Sequence, residues 1–173
     1  VAVYLTQPNN TVIATVRDAS DDKSKALSEL PKDTSSSLIV VTIESTSETS
    51  ALSAIEELKT KHGISALDLV IANAGIAAVY PRVSEVKPVD MAKHYAVNVI
   101  GTVLLFQAVL PLLLKATEPK FVTISSSAGT IINMENLAVP NAAYAPSKTA
   151  LNWISKKIHV ENETIIAFPL DPG

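Results

Sequence analysis

Tyr144 and Lys148 stand at i and i+4, a spacing that puts a phenol and an ammonium on one face of a helix. The ammonium favours the phenolate, which makes the phenol a usable proton donor and acceptor near neutral pH. Ser126, in the run Ser125-Ser126-Ser127-Ala128-Gly129, can donate a hydrogen bond to an oxygen on which negative charge gathers. Together the three groups suit moving a proton onto or off an alcohol or carbonyl oxygen. A Tyr–Lys pair alone is equally well an exposed helix pair. The elements around it must decide.

Those elements alternate. Apolar, β-branched runs at 11–16, 38–43, 67–72, 121–125 and 164–168 read as buried strands. Between them lie helices. One starts at Ser20-Asp21-Asp22 and stops at Pro31, and one spans 48–62 with Leu52, Ile55 and Leu58 on one face and Gly63 at its end. A long helix runs from Pro88 to about residue 115, and another over 144–159. Residues 1–5 read as the tail of an apolar helix, ended by Gln7-Pro8-Asn9-Asn10. Strands without a polar face, alternating with helices, predict an α/β fold: a doubly wound parallel sheet of the Rossmann type, in one domain over 1–173.

Composition narrows the function. A net charge of −3 and a pI near 5.6 argue against a nucleic-acid or anionic-membrane surface. The absence of cysteine removes disulfides and thiolate sites and fits a reducing, cytoplasmic compartment. His62, His94 and His159 have no ligand spacing, so no metal site is expected. Asn98, Gln107 and Pro111 interrupt the apolar stretch 97–114, which therefore reads as a helix buried between the sheet and a partner, not as a membrane span.

In a sheet of this kind ligands bind beyond the carboxyl ends of the strands. Arg17, Glu44, Asn73-Ala74-Gly75, Ser126 and Pro172-Gly173 all fall at such ends. With Asn98 and Tyr144-x-x-x-Lys148 they give the chain a clear resemblance to the short-chain dehydrogenase/reductase family, in the family's order and over essentially the whole length. Within it the chain is most similar to fungal ketoreductases of the norsolorinic acid ketoreductase type. The features behind that are Val16-Arg17-Asp18, the long loop before Tyr144, and the ending Ala167-Phe168-Pro169-Leu170-Asp171-Pro172-Gly173.

The resemblance implies an NAD(P)-dependent oxidoreductase that moves a hydride between nicotinamide and a carbonyl carbon. It makes Tyr144 the general acid/base, assisted by Lys148, which also holds the nicotinamide ribose. It makes Ser126 the hydrogen-bond donor to the substrate oxygen, and Asn98 the anchor of a water leading to Lys148. It also places Glu44 and Ser45 beside adenine, Asn73, Ala74 and Gly75 along the adenosine ribose, and Pro172 and Gly173 against the nicotinamide. Arg17, standing where an acid would bind a ribose hydroxyl, favours a 2′-phosphate and so NADP(H), with NAD(H) as the other candidate. Ile131, Ile132, Met134, Leu137 and Pro140 predict one apolar wall of a pocket for a hydrophobic or aromatic carbonyl compound. Val79, Tyr80 and Pro81 are candidates for the other wall. The long helix and the Tyr144 helix are expected to make a homodimer or homotetramer.

One departure stands out. The family's opening strand and glycine-rich pyrophosphate turn are not present, since no glycine precedes Gly63, and the chain stops where the family's lid and last strand would begin. The sequence therefore reads as a longer enzyme trimmed at both ends. The alternative is a degenerate, non-catalytic member with a regulatory or partner-binding role.

Overall fold

The computed structural model describes residues 1–136 and 139–173, and of Lys23 the backbone alone. The elements are α1 (Ala2–Leu5), β1 (Thr11–Val16), α2 (Asp22–Lys25), β2 (Ser37–Thr42), α3 (Ser50–His62) and β3 (Leu69–Ala72). They continue with α4 (Pro88–Tyr95), α5 (Gly101–Leu113), β4 (Lys120–Ile124), α6 (Tyr144–Glu161) and β5 (Ile166–Leu170). The strands pair in parallel, β1 with β2 in one sheet and β3-β4-β5 in another. Register runs Val16↔Thr42 in the first sheet, and Ala72↔Thr123 and Thr123↔Pro169 in the second. The carboxyl ends of all five strands thus carry the predicted site residues.

Two elements differ from the expectation. Residues 20–30 form only the short α2 and a 3₁₀ turn, Ala26–Glu29, because Leu27 and Leu30 offer too little apolar surface to hold a longer helix. The long helix is continuous from α4 to α5 but changes winding at a π turn, Ala96–Ile100, centred on Asn98. Such turns take up an extra residue and re-aim side chains. The other ends follow local chemistry. Gly63 closes α3 in the left-handed region at φ 67, its N–H bonded back to Leu58, and Pro88 opens α4 at a position whose N–H has no helical partner.

One apolar core joins the two sheets. Val41 of β2 and Ala51, Ala54, Ile55 and Leu58 of α3 belong to the same buried cluster as Ala108, Val109, Leu112 and Leu113 of α5 and Phe121 of β4. Phe106 meets Phe121 edge-on at 5.1 Å. Among the described residues one helix, Pro88–Leu113, is apolar and long enough to cross a membrane, and 44% of its apolar window is buried inside the protein. Its Ala108, Val109, Leu112 and Leu113 belong to the buried core cluster.

The contact that sets α5 against the first sheet is unusually close. A Cβ at Gly101 would lie 2.7 Å from the carbonyl oxygen of Ser45 and 2.9 Å from its Cβ. Only a hydrogen fits there. We expect Gly101→Ala to lower stability by about 1–3 kcal/mol through overpacking. Urea unfolding reads this directly, and an unchanged midpoint would show that the Ser45 loop yields freely.

Candidate active site

The site is built around one amide. Asn98, 1% exposed, accepts from the Ile76 N–H through Oδ1 at 2.8 Å and donates from Nδ2 to the Ile76 carbonyl at 3.0 Å. The same Nδ2 donates to Ser147 Oγ at 2.9 Å, and Ser147 donates to the Tyr144 carbonyl at 2.6 Å. The loop leaving β3, the π turn and the first turn of α6 are thus fastened together. Among the described residues no buried side-chain nitrogen or oxygen lacks a partner, so this polar knot is fully satisfied.

On α6, Lys148 lies one turn beyond Tyr144, as the i, i+4 spacing requires. Its ammonium sits 5.5 Å from the centre of the Tyr144 ring. The residue is 5% exposed, and Nζ donates to the Ile124 carbonyl at 2.6 Å, at the end of β4. Burial strips water from the ammonium and lowers the Lys148 pKa below the ordinary lysine value. Tyr144 itself is half-buried, with Tyr80 edge-on at 6.5 Å and His94 edge-on at 6.4 Å.

Ser126 begins a 3₁₀ turn, Ser127–Gly129, and its Oγ accepts from the Ala128 N–H at 3.2 Å. A hydroxyl that already accepts keeps its own proton to donate. Asp171 steadies the turn by accepting from the Ser127 N–H at 2.8 Å. Gly129 docks it on α6: a Cβ there would lie 2.8 Å from the Lys148 carbonyl carbon. Gly75, at the end of β3, faces the same knot, where a Cβ would meet Asn98 Oδ1 at 3.2 Å and Lys148 Nζ at 3.7 Å.

The structure therefore brings Asn98, Tyr144, Lys148 and Gly75 together, with Ser126 at the end of β4 beside them. Asn73 and Ala74 are exposed in the same turn, and Pro172 and Gly173 are exposed past β5. Arg17 and Glu44 lie on the other sheet, both exposed, beyond the adjacent ends of β1 and β2. The N–H and hydroxyl of Thr46 hold the Glu44 carboxyl below the usual range, with a smaller contribution from Arg17. Asp18 is taken up by Ser20, which donates through its N–H at 2.8 Å and through its hydroxyl. Ser45 is half-buried against Gly101. Of the pocket residues, Tyr80 is 51% exposed, and Ile131, Ile132 and Met134 stand out in solvent at 66%, 86% and 56%. Leu137 falls outside the described residues.

Sequence reasoning passed over Ser147, His94 and Asp171. His94 is four before Asn98 and Ser147 is three after Tyr144, so helical spacing from the residues already chosen would have found both.

The residues present fit the ribose-bearing parts of a dinucleotide. An exposed arginine, an exposed strand-end turn ending in glycine and a partly desolvated ammonium all lie along one edge of the two sheets. The chain belongs to the short chain dehydrogenase family, whose sequence profile matches residues 1–166. It is 44% identical to a norsolorinic acid ketoreductase of Dothistroma septosporum over 177 residues, covering 100% of this chain and 65% of that protein. A norsolorinic acid ketoreductase of Emericella nidulans is 38% identical, over 100% of this chain and 66% of its own length. Among solved structures, the NADPH-bound carbonyl reductase from chicken fatty liver superposes with a TM-score of 0.80 at 30% identity, over 93% of this chain and 67% of that one. The chain thus spans about two thirds of these relatives.

The buried lysine gives a pH prediction. A folded-state pKa below the ordinary 10.5 means that the unfolded chain binds more protons in the interval between the two values. Stability must then rise with pH across that interval. Lys148→Met removes this contribution, so wild type should gain on the variant in thermal midpoint as pH approaches 10.5. A constant difference at all pH values would contradict a desolvated ammonium.

Proposed function

We propose that this chain is the dinucleotide-binding and catalytic domain of an NADP(H)-dependent ketoreductase acting on a hydrophobic or aromatic, polyketide-like carbonyl compound. The observation that carries the proposal is the buried Lys148 ammonium set one turn from Tyr144 and held there by the Ile124 carbonyl. Its similarity to norsolorinic acid ketoreductases and to an NADPH-bound carbonyl reductase supports the proposal.

In this reading bound NADPH would supply the hydride for the carbonyl carbon of the substrate. The Tyr144 hydroxyl gives its proton to the carbonyl oxygen as that oxygen becomes an alcohol, and Lys148 stabilises the phenolate left behind. Ser126 donates a hydrogen bond to the same oxygen while charge builds on it. Lys148 would hold the nicotinamide ribose, with Pro172 and Gly173 against the nicotinamide; Asn73, Ala74 and Gly75 would lie along the adenosine ribose, and Asn98 would hold the loop and a water behind Lys148. Arg17 would receive the adenosine 2′-phosphate, and Glu44 and Ser45 would lie beside adenine. Tyr80 on one side, and Ile131, Ile132, Met134 and Leu137 on the other, would form the walls of the substrate pocket. In oxidation the proton moves the other way, from alcohol to Tyr144.

A homo-oligomer formed through α5 and α6 belongs to the same reading. Trp153 is 66% exposed there and lines an open, largely apolar groove with Val103, Phe106 and Ile154. A cytoplasmic location accords with the lack of cysteine. The complete set of Asn98, Ser126, Tyr144 and Lys148 speaks for catalysis over a degenerate, partner-binding role.

Tyr144→Phe in the full-length protein should reduce ketone turnover by roughly 100-fold or more while leaving NADPH binding intact. Turnover at the wild-type rate would remove Tyr144 from the chemistry. Arg17→Glu should shift cofactor preference from NADPH towards NADH by roughly tenfold or more. An unchanged ratio of the two kcat/KM values would show that Arg17 does not meet a 2′-phosphate.

A further inference from the structure

We propose that His94 is a positioning residue: it pins the loop leaving β3 so that Tyr80 stands against Tyr144. The proposal rests on the reductase reading of the site. His94 is 1% exposed and lies one helical turn before Asn98. The Ala78 N–H donates to its Nε2 at 3.1 Å, so that nitrogen carries no proton. Nδ1 then holds the proton and donates it to the Asp90 carbonyl at 2.7 Å. Both nitrogens are committed, and one neutral tautomer is selected. The imidazole is therefore built to hold backbone, not to exchange protons with a substrate.

What it holds matters to the site. Asn98 takes both backbone groups of Ile76, and His94 takes the N–H of Ala78, two residues on. The two side chains, at i and i+4 on one helix face, thus clamp successive alternate residues of one loop. The far end of the loop is tied to the segment before α6, where the Ala142 N–H donates to the Pro81 carbonyl at 3.0 Å. Between these fixed points lies Tyr80, whose ring meets Tyr144 edge-on at 6.5 Å and whose hydroxyl donates to the Ala77 carbonyl. The His94 ring itself meets Tyr144 edge-on at 6.4 Å. Both aromatic contacts on Tyr144 therefore depend on His94, one directly and one through the loop it anchors.

Three substitutions in the complete enzyme separate this role from simple core filling. In His94→Gln the side-chain oxygen can reach the position of Nε2 and accept from Ala78. In His94→Asn the amide nitrogen occupies the position of Nδ1 and keeps only the bond to Asp90. His94→Leu keeps neither. We expect the Asn and Leu variants to lose roughly tenfold or more in kcat for an aromatic ketone, because small misplacements of reacting groups are costly. NADPH affinity should stay within about twofold, and His94→Gln should recover most of the rate. Amide hydrogen exchange at Ala78 should speed up in the Asn and Leu variants and stay slow in Gln. Equal rates for Gln and Asn, or slow Ala78 exchange in the Leu variant, would overturn the proposal. A wild-type enzyme that reduces no ketone would instead defeat the reductase reading and the catalytic consequence with it, while Ala78 exchange would still decide whether His94 is the clamp.

Discussion

The side chain of Asn98 is the constraint on which the rest of the site depends. An amide buried to this degree must satisfy its donors and acceptor internally, since each unmet group costs about 1–3 kcal/mol. It does so by binding both backbone groups of Ile76 and the hydroxyl of Ser147. Those three bonds join β3's exit loop to α6 at the turn that carries Tyr144. The π turn at Ala96–Ile100 is the local distortion in the helix that accompanies this placement.

Around that knot, close packing and desolvation do separate work. Gly101 and Gly129 let backbone meet backbone at distances that any side chain would forbid, one setting α5 against the Ser45 loop and the other setting the Ser126 turn on α6. Burial of Lys148 has the opposite character. It destabilises the ammonium and lowers its pKa, and a single short bond to the Ile124 carbonyl compensates only in part. The fold thus keeps a costly charge 5.5 Å from the ring of a phenol.

Much of this was legible in the sequence, for identifiable reasons. The apolar strands and the amphipathic α3 announce themselves by composition and period, and Tyr144–Lys148 by helical spacing. Strand-end positions for Arg17, Glu44, Gly75 and Ser126 follow once the alternation is read. Other features were hidden because they depend on tertiary contacts. Nothing local marks residues 96–100 as a π turn, since the distortion goes with a bond to Ile76 from far along the chain. His94 looked like one of three scattered histidines because the significance of its nitrogens lies in Ala78 and Asp90. The loop residues Ile131, Ile132 and Met134 read as a pocket wall from their apolar character, and they are exposed in the structure. Apolarity alone does not say which surface a loop will cover.

The most direct test of the account is isotopic. The full-length protein would be given NADPH deuterated at the transferable C4 position together with a panel of aromatic and aliphatic ketones, and the alcohol products examined by mass spectrometry. The account predicts an alcohol from an aromatic ketone that carries the deuterium on its former carbonyl carbon, formed in step with NADPH consumption. Consumption of NADPH without label in the alcohol, or no consumption with any ketone despite tight NADPH binding, would contradict it.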